Sequence, residues 1–173
     1  MPKRLPEIKA RFIDAARKRL TDNHDITIRQ IALDCNTAVG TVYNYFPSKE
    51  HLLAAVMMED WQVCCRRMRE DADQACGPLA AIEATTKALR RFAVQYAPIW
   101  RVYAAARGSM AELNNRHRMI IEEISATVEG TLVRFNIRED PCLPEILAEL
   151  ILLASRTDDG FDRISSTLKK ILA

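Results

Sequence analysis

From Leu5 onward, apolar residues recur every three to four positions, the period of an amphipathic helix. Ile8, Phe12, Ala15 and Ala16 share one face of a first predicted helix, Leu5 to Thr21, which the polar run Asp22-Asn23-His24-Asp25 ends. Thr27-Ile28-Arg29-Gln30 then has the T-x-x-Q form of a capping box and opens a short second helix. A third covers about Ala38 to Asn44. Pro47 disfavours its continuation, and Ser48 is a good N-cap for a long fourth helix, Lys49 to about Asp73. Pro78 begins a fifth helix to Tyr96, and Pro98 begins a short sixth to about Arg107, closed by Gly108. The seventh, Met110 to Phe135, carries apolar residues at 113, 120, 124, 128, 132 and 135. After a loop at 136–144, an eighth helix runs from Pro144 to Arg156. Asp158-Asp159-Gly160 turns into a ninth with Phe161, Ile164, Leu168 and Ile171 on its seam. No strand alternation, internal repeat or low-complexity stretch interrupts the series. The expected fold is all-α: a three-helix head (residues 1–47) followed by a six-helix bundle (residues 48–173).

Composition excludes more than it selects. With 49% hydrophobic and 28% charged residues the balance is that of an ordinary globular chain. The densest apolar run, Ile146 to Ala154, contains Glu149 and is far short of the ~20 residues that span a bilayer. Met1-Pro2-Lys3-Arg4 leads into a charged amphipathic segment without the apolar run of a secretory signal, so a soluble, cytoplasmic protein with no membrane partner is expected. Cys35, Cys64, Cys65, Cys76 and Cys142 form no C-x-x-C pair, and neighbours on a helix such as Cys64 and Cys65 point ~100° apart. With His24, His51 and His117 scattered, neither metal nor cofactor is expected, and the thiols read as idle groups in a reducing compartment. Gly-rich phosphate loops, H-E-x-x-H and G-x-S-x-G are absent, and Glu112, Glu122, Glu123 and Glu129 read as a solvated helix face. Nothing points to an enzyme. Charge is uneven: residues 1–53 hold nine Lys/Arg against six Asp/Glu, which puts +3 on the head and leaves −1 on the rest of a chain of net charge +2. A basic head on a near-neutral body fits nucleic-acid binding.

The informative segment is Thr27 to Leu53, TIRQIALDCNTAVGTVYNYFPSKEHLL. Two short helices joined by a tight turn need a small residue at their crossing, a residue that tolerates left-handed backbone in the turn, and an apolar anchor on the second helix. Ala32, Asn36 and Val42 stand at those offsets. This is the geometry of a helix-turn-helix, which lays its second helix in the major groove of DNA. The run Gly40-Thr41-Val42-Tyr43-Asn44-Tyr45-Phe46-Pro47-Ser48-Lys49-Glu50 closely resembles the G-T-(L/V)-Y-x-Y-F-x-S-K-E signature of the tetracycline-repressor (TetR) family of transcription regulators, and Ile28-x-x-Ile31-Ala32 matches its second helix. The match covers about Phe12 to Leu53. The remaining two thirds resembles the family in helix pattern and order alone.

The resemblance implies roles. Gly40 permits close approach of the recognition helix to DNA; Thr41, Tyr43, Tyr45 and Lys49 bond phosphates, which fixes register without reading sequence. Thr27 and the first amides of helix two sit beside another phosphate. Val39 and Asn44, with Arg29 and Thr37 at the edge, are the candidates for base reading: valine against a thymine methyl, asparagine against adenine. Three positions depart from the family pattern. Ala38 stands where a capping Ser or Thr is usual, His51 where Glu completes a box with Ser48, and Asn36 where glycine is usual.

For the body, the resemblance implies a pocket for a small-molecule effector and a dimer surface. Trp61, Phe92, Tyr96, Trp100 and Tyr103 are the candidate lining, with Arg107 or His117 as the polar contact. Helices eight and nine are the expected homodimer surface, because Ile146, Leu147, Leu150, Ile151, Leu152 and Leu153 are apolar nearly all round, more than one buried face requires. The expected function is that of a repressor: a dimer on a palindromic double-stranded operator, released by its effector. The alternative is a ligand-independent, DNA-bound adaptor acting through a protein partner.

Overall fold

A computed structural model describes residues 5–22, 26–105, 110–137 and 140–172. Among them are eight helices and no strand: α1 (Leu5–Thr21), α2 (Ile28–Asp34), α3 (Val39–Tyr45), α4 (Lys49–Asp73), α5 (Pro78–Ala105), α6 (Met110–Arg134), α7 (Leu143–Ala154) and α8 (Gly160–Ile171). Among the described residues the body therefore contains five helices rather than the expected six. The expected fifth and sixth are a single helix, α5, which runs through Pro98. An interior proline removes the bond to the carbonyl four residues back, here Val94, and costs ~3 kcal/mol. The face that α5 buries continues on both sides of it, through Leu89, Phe92, Tyr96 and Ile99, and that burial outweighs a local stop signal. The helices expected as seven, eight and nine are thus α6, α7 and α8.

The chain divides into two compact units, Met1–Trp61 and Gln62–Ala173, with the division inside α4. In the first unit, Phe12, Ile13 and Ala16 of α1 are buried, as are Ile28, Ile31 and Ala32 of α2, Val42 of α3 and Leu52, Leu53 and Val56 of α4. Sealing a large apolar side chain of this kind contributes ~1.5–3 kcal/mol. Arg17 of α1 joins the two ends of the unit: its Nε and Nη2 donate to Asp60 and Glu59 of α4, each at 2.7 Å. The first part of α4 thus goes with the head.

The second unit buries Met68 and Ala72 of α4, Ile82, Leu89 and Tyr96 of α5, Ile124 and Val128 of α6, Leu147 and Ile151 of α7 and Leu168 of α8. Buried threonines satisfy their hydroxyls within their own helices: Thr85 and Thr86 donate to the carbonyls of Ala81 (2.9 Å) and Ile82 (2.8 Å), and Thr131 to that of Thr127 (3.1 Å). Arg134, at the end of α6, donates to the carbonyls of Ala72 (3.0 Å), in the last turn of α4, and of Ala75 (2.9 Å), just beyond it. Among the described residues no helix is long and apolar enough to cross a membrane.

Two predictions follow from this packing. A Cβ on Gly160 would lie 1.9 Å from the carbonyl oxygen of Ala154, so Gly160→Ala has to force α7 and α8 apart. Chemical denaturation of the variant is expected to show a loss of about 1–3 kcal/mol; unchanged stability would contradict the close approach. The second concerns the thiols. Burial pushes Cys64 up to about 11 and Cys65 up to about 12, and raises Cys35 as well, whereas Cys76 and Cys142 are exposed. A raised thiol pKa leaves less thiolate at neutral pH, so iodoacetamide should label Cys76 and Cys142 in the native protein, and all five only after unfolding.

Candidate nucleic-acid interface

The turn between α2 and α3 is built from backbone outward. Asn36 takes φ 50°, the left-handed conformation that asparagine tolerates better than other side chains. Its N–H bonds the Leu33 carbonyl at 3.0 Å, and the Thr37 N–H bonds the Ala32 carbonyl at 2.9 Å. These paired bonds form a Schellman motif, which satisfies the last carbonyls of α2 and redirects the chain. From α1, Arg11 Nη2 donates to the Cys35 carbonyl at 2.7 Å, and Cys35 Sγ returns a bond to the Arg11 carbonyl at 3.4 Å. α1 holds the turn directly.

Each helix of the motif starts differently. α2 opens on the expected capping box: Thr27 Oγ1 accepts from the Gln30 N–H at 3.2 Å while Gln30 Oε1 accepts from the Thr27 N–H at 3.1 Å. α3 starts at Val39 with Ala38 as N-cap and no side-chain cap; Thr37 does not supply one. At α4, His51 forms half of a capping box, and its ring meets the Ser48 hydroxyl where a glutamate would reach the Ser48 N–H. Ser48 Oγ accepts from the His51 N–H at 3.4 Å and lies 3.0 Å from His51 Nδ1.

The capping and packing leave one face of α3 in solvent. Val39 is 39% and Tyr43 50% exposed, Gly40 and Asn44 are exposed, and Val42 of the same helix is fully buried. No atom lies within 4 Å of the position a Cβ on Gly40 would take. Arg29, Thr27 and Lys49 are exposed, and Thr37 and Thr41 half-buried. Tyr45 is half-buried with its ring edge-on to Phe12, centroids 5.8 Å apart, so its ring serves the head's interior. Val39, Gly40, Tyr43 and Asn44 are therefore brought together on one surface, and Tyr45 is set apart from it. Arg11 and Arg17 carry no role in the sequence pattern. Their partners lie 24 and 43 residues away, and no local pattern marks such pairs.

The expected effector residues fall in both units of the chain. Trp61 is buried in the first unit. In the second, Phe92 and Tyr96 are buried with ring centroids 4.8 Å apart. His117 is exposed and bonds Glu149 of α7 at 2.8 Å. Arg107 lies outside the described residues, as do the side chains of Trp100 and Tyr103. Among the described residues no group of three or more His, Cys, Asp or Glu is placed to hold a metal ion.

Residues 12–56 match the model of the family described as bacterial regulatory proteins, tetR family. A segment of 64 residues is 33% identical to the HTH-type transcriptional regulator UidR of Escherichia coli K12; it makes up 36% of this chain and spans 33% of that regulator's length. Two solved structures share the fold over nearly the whole chain. A TetR-family transcriptional regulator from Pectobacterium atrosepticum superposes with a TM-score of 0.66 at 19% identity, covering 98% of this chain and 96% of that one. Salmonella enterica GusR superposes with a TM-score of 0.61 at 21% identity, covering 99% and 98%.

The left-handed turn gives this surface its prediction. Asn36→Gly is expected to leave thermal stability unchanged or slightly raised, whereas Asn36→Val should cost about 1–2 kcal/mol, the strain of a branched side chain in that conformation. Equal stability of the two variants would rule out a left-handed residue at this position.

Proposed function

We propose that the chain is a member of the tetR family of bacterial regulatory proteins, whose model residues 12–56 match, and so a transcription regulator and not an enzyme. It binds a double-stranded DNA operator through its helix-turn-helix. The observation that carries this reading is the solvent-facing set Val39, Gly40, Tyr43 and Asn44 on a helix anchored by the fully buried Val42. Tyr43 and Lys49 bond phosphates and fix the register, as does Thr41. Val39 and Asn44 read base edges, with Arg29 and Thr37 at the margin. Gly40 lets the helix backbone come close to the groove.

The protein acts as a cytoplasmic homodimer through α7 and α8. A two-fold pair of heads sets two recognition helices ~34–36 Å apart or a multiple of it, which calls for a palindromic operator. Support for the pairing comes from apolar side chains that α7 and α8 leave outside their own core, Ile146, Leu153 and Ile171 among them. Occupancy of the operator excludes polymerase, hence repression. A small-molecule effector binds the body near the stacked Phe92 and Tyr96 and releases the DNA by favouring a DNA-incompetent arrangement, with a coupling of ~1–3 kcal/mol.

Selection of bound duplexes from a random pool tests the reading. An inverted repeat should be enriched. On that repeat Tyr43→Ala should weaken binding and reduce the slope of log affinity against log salt by about 1, the signature of one lost phosphate contact. Failure to enrich any sequence, with the protein shown to be folded, would overturn operator recognition.

A further inference from the structure

We propose that charged edges on α7 and α8 decide how two copies of this chain pair: the acidic edge of α7 lies against the basic edge of the second copy's α8. This rests on the dimer reading above and adds to it an arrangement and a source of selectivity.

α7 has two apolar faces. Leu147, Ala148, Ile151 and Ala154 are buried in their own unit. Ile146, Leu150 and Leu153, spaced i, i+4, i+7, form a second stripe in which Ile146 is 53% and Leu153 57% exposed. On α8, Leu168 is fully buried, Ile171 is exposed, and Phe161, Ile164 and Leu172 are half-buried. A single buried face does not require the second stripe of α7, and the one apolar stripe of α8 is covered only in part.

The charges flank that surface in register. Glu145 precedes Ile146 and Glu149 precedes Leu150; Arg163 precedes Ile164 and Lys170 precedes Ile171. One residue is ~100° of helix, so each pair lines one edge of its helix's outward face. Glu145 and Glu149 border an open groove of about 410 Å³ with His117, Ile121 and Ser125 of α6, which places the acidic edge on the flank away from α8. α7 and α8 pack together across the short turn at residues 155–159 and so run antiparallel. The same rotational offset on a reversed helix falls on the opposite flank, so the basic edge of α8 is also an outer edge. Among the described residues Glu145, Arg163 and Lys170 make no ion pair, and Glu149 pairs with His117.

Two two-fold arrangements can cover this surface. An axis parallel to the helices sets α7 on the second copy's α8, and each acidic outer edge meets a basic outer edge twice over. An axis across the helices sets α7 on α7, with Glu145 and Glu149 facing their own copies. Like charges at close range disfavour the second arrangement and opposite charges favour the first. The occupant is therefore a second copy of this chain. A related helical hairpin with the same apolar stripe but another charge pattern would be rejected, as charged edges reject wrong partners in paired helices.

The test uses the full chain in sedimentation equilibrium, with two charge-reversed variants, Glu145→Lys/Glu149→Lys and Arg163→Glu/Lys170→Glu. Each alone places like charges on both edges and should weaken self-association by roughly tenfold or more. An equimolar mixture restores opposite charges at both edges and should form the mixed dimer with wild-type strength. Wild-type dimerisation that both variants retain would overturn the charge assignment and leave the dimer standing. A wild-type chain that is monomeric through the micromolar range would overturn both. If either variant fails to fold, the wild type decides: dissociation that strengthens with added sodium chloride supports the charged edges, and dissociation that is unchanged or suppressed by salt overturns them.

Discussion

The head depends on one backbone event, the left-handed conformation of Asn36 at the end of α2. It lets the Asn36 and Thr37 amides close on the last carbonyls of α2, and the chain leaves at the angle that α3 then follows. Everything that faces DNA is downstream of that angle. Val42 can be sealed only if α3 crosses α2 closely, which requires a small residue at the crossing, and Ala32 is buried there. Arg11 adds a second hold by donating to the Cys35 carbonyl in the same turn. A charged hydrogen bond of this kind outlasts the local opening that a seven-residue helix would otherwise undergo, because short helices draw their stability from packing and caps rather than from propensity.

α4 shows how far a single helix can serve two cores. Its first half lies in the head's unit, where Leu52, Leu53 and Val56 are buried and Glu59 and Asp60 take the guanidinium of Arg17. The second half buries Cys64, Cys65 and Met68 in the other unit, and the Ala72 carbonyl in its last turn accepts from Arg134. Buried faces at both ends explain why the amphipathic pattern of this helix is less sharp than that of α8, where one stripe alone is apolar.

How much of this was legible in the sequence follows from where the determinants sit. Thr27 with Gln30, Asn36, and Pro47 with Ser48 act on backbone within a few residues, so their meaning is local and each was readable. The same locality misled at Pro98. A proline reads as a helix start, but the buried positions at Leu89, Phe92, Tyr96 and Ile99 belong to tertiary packing, which no local signal reports. Arg11 and Arg17 were illegible for the same reason: in sequence they are charges on an exposed-looking face, and only the folded head brings them to Cys35, Glu59 and Asp60. Tyr45 was half legible. Its place in the signature was clear, but whether its ring faces DNA or Phe12 depends on how α1 packs.

The two charged surfaces of the molecule are coupled through mass action. DNA binding by a basic head releases counterions and weakens with salt; the proposed pairing through oppositely charged edges would weaken with salt as well. On the proposed reading, in which a palindromic operator captures a dimer, its apparent affinity contains the free energy of pairing wherever the protein concentration lies below the dimer dissociation constant. The salt slope measured there is the sum of phosphate contacts and edge contacts. Above that constant it reports phosphates alone. The slope of the wild type should therefore flatten as protein concentration rises, while a chain whose edges do not meet would give the same slope throughout. If the edges pair as proposed, a head with a modest basic excess of three charges responds to ionic strength, below the dimer dissociation constant, more steeply than its own phosphate contacts would allow.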